Sequence, residues 1–66
     1  MAVYLEVAQA LESEIRNHFE SGQFLPSEME LADRFSINRH TLRRAVDELV
    51  NAGLLLRQHG KGTMVV

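Results

Sequence analysis

Residues 38–52 constrain the fold more than any other part of this sequence. The segment opens with Asn38, a residue type preferred at helix N-caps, and is followed by Gly53, where a helix end favours a left-handed residue. Between them, apolar side chains recur at the three- and four-residue spacing of one helical face: Leu42, Ala45, Val46, Leu49 and Val50. The segment therefore predicts an amphipathic helix, capped by Asn38 and running to about Ala52, with one buried face.

Two further helices are predicted before it. Apolar residues from Tyr4 to Phe19 have the same helical spacing and predict a helix over about Val3 to Glu20, with an acidic outer face. Ser27 begins an S-x-x-E capping box, which predicts a short helix from Glu28 to about Phe35. Residues 23–26 are predicted to be an extended connector, because the residue before a proline avoids helical geometry.

The remaining residues predict a β-hairpin. Strands are expected over 54–58 and 63–66, joined by a tight turn at His59-Gly60-Lys61-Gly62. Two strands alone are marginal in water, so the hairpin must rest on the helices. The expected fold is mainly α with a small β-hairpin, in the order helix, helix, helix, hairpin. That order describes a winged helix-turn-helix, with residues 38–52 as recognition helix and residues 59–62 as wing.

Composition narrows the class of protein. The 66 residues are enough for one domain, and with 45% hydrophobic residues the chain is not expected to be disordered. It has no cysteine, which excludes disulfides and thiolate metal sites. We expect no metal or other cofactor, since His18, His40 and His59 lack the spacing of a metal site. No membrane span or signal peptide is predicted, so the expected location is the cytoplasm.

Charge is distributed unevenly between the two halves. Residues 1–33 hold one base against seven acids, a net charge of −6, whereas residues 34–66 hold six bases against two acids, a net charge of +4. The second half of the chain is therefore basic although the overall charge is −2. Binding of a charged partner depends on the local electric field at one face and not on this overall charge. Uneven charge on a solvated surface is the alternative explanation.

The first two turns of the third helix carry the candidate DNA contacts. Arg39 and Arg43 suit bidentate contact to guanine, while Arg44 suits the phosphate backbone. Asn38 and Thr41 can donate to phosphates near the helix start, and His40 can reach a base edge or a phosphate. Alternatively, Asn38 only caps the helix and Thr41 has no binding role. In the same alternative, Arg43 with Asp47 and Arg44 with Glu48 form i,i+4 ion pairs on a solvent-exposed helix face.

The hairpin tip is the second candidate contact. Gly60 and Gly62 would let the backbone approach a minor groove closely, next to His59, and Lys61 would neutralise phosphate. Glycines also serve hairpin turns generally, so this signal is weak without the third helix. A winged helix used for protein interaction, without DNA binding, is the leading alternative function. No nucleophile or acid-base pair indicates an enzyme.

The chain resembles the DNA-binding domain of GntR-type bacterial transcription regulators, and within them HutC-like members. The resemblance lies in five segments, in order and at the right separations: Leu25-Pro26-Ser27-Glu28, Leu31-Ala32, Asn38-Arg39-His40-Thr41-Leu42-Arg43, Leu49 to Gly53-Leu54, and Gly60-Lys61-Gly62-Thr63. The pattern is broken at Met29, where many relatives have an arginine near DNA, and at Gly22-Gln23-Phe24, where a Pro-Gly is usual.

The resemblance implies a homodimeric repressor of a metabolic operon, such as one for phosphonate utilisation, that binds double-stranded DNA at a palindromic operator. Arg39 and Arg43 fall on positions that contact guanine, Asn38 and Thr41 on phosphate-contacting positions, and Gly60 on the minor-groove position of the wing. Ser27 is also expected to contact DNA. Residues 1–66 would then be the N-terminal fragment of a longer regulator, whose absent C-terminal domain binds a small-molecule effector and holds the dimer together.

Overall fold

The computed structural model describes residues 2–66 and has the predicted order of elements. Three helices come first, α1 (Val3–His18), α2 (Glu28–Phe35) and α3 (Arg39–Asn51), and two strands follow, β1 (Leu55–Gln58) and β2 (Gly62–Val65). Every predicted element is present, and the bounds differ by at most two residues. The prediction of a winged helix-turn-helix is confirmed. In residues 2–66, no helix is both long and apolar enough to cross a membrane.

Helix α1 ends two residues before the predicted Glu20. Phe19 already has extended backbone, with φ −123° and ψ 150°, and its N–H donates to the Ile15 carbonyl. Its ring is half-buried and packs against the core. The helix therefore ends just before Phe19, the last apolar residue of the stripe, and a turn at Gly22 follows.

The helix-turn-helix is fixed by side-chain caps. The hydroxyl of Ser27 accepts a hydrogen bond from the Glu30 N–H at 3.1 Å, as the capping box predicts. Asn38 Oδ1 accepts one from the Thr41 N–H at 2.7 Å, which confirms the predicted start of α3. Between the two helices Ser36 is left-handed, with φ 57° and ψ 44°, and this sharp turn directs α3 across α2.

The hairpin pairs in a simple antiparallel register that runs from Leu55 opposite Val65 to Gln58 opposite Gly62. A third extended segment was not predicted to pair, yet Phe24 bridges to Met64 on the free side of β2. Two backbone bonds hold it there: the Leu25 N–H donates to the Thr63 carbonyl at 2.9 Å, and the Val65 N–H donates to the Gln23 carbonyl at 2.8 Å. The connector thus ties the start of α2 to strand β2 of the hairpin.

One hydrophobic core joins the three helices to one face of the hairpin. Helix α3 supplies its centre, because Leu42 and Ala45 are both 0% exposed. Val50, predicted to be buried, is only half-buried. The other buried core residues come from every element and from the connector: Val7, Ala8, Leu11, Ile15, Leu25, Leu31, Ala32, Val46, Leu49, Leu55 and Val65. Burying the later turns of α3 leaves its first two turns at the surface.

Candidate nucleic-acid interface

Three elements converge on one open groove. Its walls are the start of α2, the first two turns of α3, and the hairpin tip with the adjoining ends of both strands. Seven of the eleven predicted DNA-contacting residues line it: Ser27, Arg39, Arg43, His59, Gly60, Lys61 and Gly62. The groove therefore brings the first turns of α3 and the wing together on one side of the molecule.

Helix α3 presents its two candidate base-reading arginines to this groove. Arg39 is the first residue of the helix and Arg43 lies one turn later, and both are exposed. Their positions follow from the buried stripe, since packing Leu42 and Val46 into the core turns residues 39 and 43 away from it. One partner of suitable width could touch both guanidinium groups and the wing at once.

One acid, Glu28, also lines the groove. Glu28 Oε1 lies 3.3 Å from Arg43 Nη2, and Glu28 Oε2 lies 3.7 Å from Arg57 Nη2. Arg57 Nη1 in turn lies 2.6 Å from Asp47 Oδ1 on the outer face of α3. These four residues form an alternating series of charges, Arg43–Glu28–Arg57–Asp47, which we call the charge series. Within residues 2–66, Arg39 and Lys61 form no ion pair and are the uncompensated cations of the groove.

The alternative of two i,i+4 pairs on α3 is wrong. In the described residues Arg43 pairs with Glu28 rather than Asp47, and Arg44 forms no ion pair with Glu48. An arginine that precedes its acid by four residues is the weaker helical orientation, and partners from α2 and β1 are available instead. The charges at the surface of α3 therefore connect different elements.

The wing tip is built on left-handed glycines. Gly60 has φ +76° and Gly62 has φ +118°, and a side chain at either position would be strained. The Lys61 N–H donates to the Gln58 carbonyl at 3.0 Å and closes the turn. A Cβ at residue 60 would meet no atom within 4 Å, so the backbone there is open to a partner. His59 and Lys61 are exposed beside it.

Four predicted contacts do not line the groove: Asn38, His40, Thr41 and Arg44. Asn38 uses its side-chain oxygen as the helix cap, and half-buried Thr41 is the residue whose N–H it caps. Arg44 leans toward α1, where its guanidinium carbon lies 4.0 Å from the centre of the Tyr4 ring, a cation–π contact. His40 is exposed at the start of α3. These side chains border the start and outer side of α3.

Sequence reasoning did not single out Arg57 as a site residue. Strand alternation could have indicated its position. Residues 55 and 57 point to the same face of β1, and Leu55 packs into the core beneath α3. Arg57 therefore reaches across α3, where it also donates to the Arg43 carbonyl at 3.4 Å. Met29, where the family pattern is broken, lines the groove and is 58% exposed.

Comparison with known proteins agrees with this geometry. Residues 3–65 match the family model described as bacterial regulatory proteins, gntR family. Over 63 residues the chain is 51% identical to the probable transcriptional regulator PhnF of Escherichia coli (strain K12), covering 96% of this chain and 26% of that protein. It is 42% identical to the HTH-type transcriptional repressor NagR of Bacillus subtilis (strain 168), with the same coverage of 96% and 26%. The chain thus spans about a quarter of the length of these relatives.

Solved structures give the same result. The crystal structure of AraR(DBD) in complex with operator ORX1 superimposes with a TM-score of 0.90 at 38% identity, covering 96% of this chain and 77% of that one. The possible transcriptional regulator YydK of Bacillus subtilis superimposes with a TM-score of 0.94 at 26% identity, covering 98% of this chain and 29% of that one. The chain is a winged helix-turn-helix that belongs to the GntR family of bacterial regulatory proteins.

Proposed function

We propose that residues 1–66 form the sequence-specific DNA-binding domain of a transcriptional repressor. The single observation that carries the proposal is the shared groove, in which two exposed arginines of α3 and a glycine-built wing tip lie side by side. A helix with cationic first turns fits the major groove, and a glycine-rich cationic tip fits the adjacent minor groove. The AraR(DBD) complex with an operator supports the same use of the fold.

Base reading is assigned to Arg39 and Arg43. Each presents a guanidinium fork that matches O6 and N7 of guanine, a contact that discriminates against a wrong base by about 1–3 kcal/mol. Ser27, Asn38 and Thr41 are assigned to phosphate. All three lie at helix starts, where hydroxyl, amide and backbone N–H donors meet an anion favourably.

The wing is assigned to the minor groove. Gly60 and Gly62 allow close backbone approach, while Lys61 neutralises phosphate and His59 donates from the edge of the tip. At the start and outer side of α3, His40 and Arg44 are assigned to the other strand of the duplex. The Tyr4 ring stiffens Arg44 there, which reduces the conformational entropy lost when it contacts a phosphate.

Several finer parts of the proposal concern the whole regulator. We propose that it binds a palindromic operator as a homodimer in the cytoplasm, has no enzymatic activity, and controls a metabolic operon such as one for phosphonate utilisation. Dimerisation and the response to a small-molecule effector are assigned to a C-terminal domain outside residues 1–66. Relatives about four times as long as this chain, named as regulators and repressors, support this division of labour.

The test begins with selection of bound sequences from a random duplex pool, followed by fluorescence anisotropy on the selected operator and on mixed-sequence duplex. Arg39→Ala and Arg43→Ala should each weaken operator binding about tenfold to a hundredfold, with a much smaller effect on mixed duplex. Lys61→Ala should weaken both equally and reduce the salt slope by about one. Arg16→Ala is the matched control, since this exposed arginine pairs with Glu12 on α1, outside the groove.

Two outcomes would contradict the proposal. If the wild-type chain shows no salt-dependent affinity for any duplex, the proposed DNA binding fails and the alternative of a protein-interaction module is favoured. If the three groove variants affect operator and mixed duplex alike, the division into base-reading and phosphate-contacting residues is wrong, because phosphate contacts carry no sequence information.

A further inference from the structure

A carboxylate in the lining of a groove that is proposed to bind DNA calls for a physical reason. Glu28 is only 23% exposed in its side chain, and it lies within 4 Å of two arginines that come from different elements, α3 and β1. A phosphate approaching the groove would be repelled by this charge. Glu28 therefore lowers the affinity of the groove for DNA backbone, and a compensating benefit is expected.

Helix stability does not account for the direction of this side chain. An acid in the first turn of α2 is favourable for the helix dipole, but Glu30 is also in that turn and Ser27 already caps the N–H of residue 30. The Glu28 carboxylate would serve the dipole equally well if it pointed to solvent. Its contacts are instead with the two guanidinium groups in the groove.

The contact with Arg43 has a specific geometry. Glu28 Oε1 accepts from Arg43 Nε at 3.4 Å and from Nη2 at 3.3 Å, which occupies one edge of the guanidinium. The Nη1 group and the second proton of Nη2 point away from this edge, because the five donors of arginine lie in a rigid plane. Those protons form the fork that bidentate contact to guanine uses. Glu28 thus holds the plane of Arg43 while leaving its base-reading end available.

The contact with Arg57 completes the charge series. Arg57 bridges Glu28 at 3.7 Å and Asp47 at 2.6 Å, so its charge is shared between two acids before any DNA arrives. Since β1 carries Arg57 and α3 carries Asp47, the same pair also ties the hairpin to the recognition helix. Two of the four cations in the groove are therefore compensated within the protein, and both compensations involve Glu28.

We propose that Glu28 is a specificity-determining residue, one that positions Arg43 for a base edge and suppresses contact of Arg43 and Arg57 with phosphates. The inference rests on the proposed function, since it presumes that the groove binds duplex DNA. A guanine edge accepts the oriented fork without displacing the carboxylate. A phosphate on non-matching DNA must approach against the negative charge, so Glu28 lowers non-specific affinity more than operator affinity.

The test compares Glu28→Gln with Glu30→Gln, which removes the same charge from the same helical turn but lies outside the charge series. Glu28→Gln should raise the affinity for mixed-sequence duplex about fivefold, as expected from releasing weak surface ion pairs. It should also steepen the slope of log K against log salt on mixed duplex by about one to two, because one or two cations become available to contact phosphates. The ratio of operator to mixed-duplex affinity should fall, whereas Glu30→Gln should leave this ratio within about twofold of wild type.

A second pair of variants guards against misfolding. Asp47→Asn releases Arg57 from the other end of the charge series, and Glu48→Gln is its neighbouring control; the folded state of each variant is checked by circular dichroism on heating. Asp47→Asn should shift the ratio in the same direction as Glu28→Gln, by a smaller factor. If the wild-type chain binds the operator specifically, but Glu28→Gln and Asp47→Asn keep the wild-type ratio and salt slope, the inference is overturned while the proposed function stands. If wild type binds no duplex, the proposed function itself fails.

Discussion

Replacing Leu42 by alanine should remove much of the stability of the domain. Leu42 is 0% exposed and lies in the middle of α3, in the core shared by the helices and the hairpin. Its side chain is buried in the core and is not among the residues that line the groove, so the substitution perturbs packing without removing any candidate DNA contact. The change in the free energy of unfolding therefore measures how strongly the recognition helix depends on the core beneath it.

The expected loss follows from the size of the protein and the burial of the side chain. A buried leucine replaced by alanine costs about 3 kcal/mol, within a usual range of about 2 to 5 kcal/mol, through lost transfer free energy and the cavity left behind. A 66-residue domain has a free energy of unfolding of roughly 3 to 10 kcal/mol. If wild type has about 5 kcal/mol, the variant retains about 2 kcal/mol, and about 3% of its molecules are unfolded at 25 °C.

Urea unfolding followed by circular dichroism measures this loss. With a slope near 1 kcal/mol per molar urea, the midpoint should fall by about 3 M at unchanged slope. Leu56→Ala is the matched control, because it makes the same chemical change at a leucine that is 46% exposed on the outer face of the hairpin. Its loss should stay below about 1 kcal/mol. Similar losses for the two variants would refute the reasoning, since burial would then not determine the cost.

Two further substitutions test the local geometry around the helix-turn-helix. Asn38→Ala should lower the free energy of unfolding by about 1 kcal/mol, because the Thr41 N–H loses the acceptor that now lies 2.7 Å away. Asn38→Ser should restore most of this free energy, and equal losses for the two variants would argue against a capping role. Ser36→Gly should raise the free energy of unfolding by about 0.5 to 1 kcal/mol, because Ser36 is the one non-glycine residue with positive φ in residues 2–66. Thermal unfolding reads out the second change, and a lower midpoint for Ser36→Gly would contradict it.

Local sequence signals were sufficient for most of the fold. Each helix had an apolar stripe, and both α2 and α3 had a capping residue whose hydrogen bond is present in the structure, at Ser27 and Asn38. Gly53 and Gly60 adopt the left-handed conformation that their positions required. These features depend on residues close in the sequence, and the charge and shape of α3 follow from them directly.

Long-range pairing is where sequence reasoning was insufficient. The bridge between Phe24 and Met64 joins residues forty positions apart, and a four-residue extended segment that ends at a proline has no periodic pattern to reveal it. The ion pairs have the same character. Spacing on one helix suggested partners four residues apart, whereas the actual partners of Arg43 and Arg57 depend on how α2 and β1 dock on α3. The candidate contacts were identifiable from residue types, but the acids that compensate them were not.

That compensation makes a quantitative prediction for DNA binding by the wild-type chain. Five cations border the groove or the outer side of α3, namely Arg39, Arg43, Arg44, Arg57 and Lys61. If all five displaced counterions from mixed-sequence duplex, log K would fall with log salt at a slope of about −4.5 per domain. Because Glu28 and Asp47 already neutralise two charges, we expect a slope of about −2 to −3. Anisotropy titrations between 50 and 200 mM salt, roughly the span over which counterion release is large, measure it. A slope near −4.5 would mean that phosphates displace both carboxylates, and the acids would then have no part in discriminating between sequences.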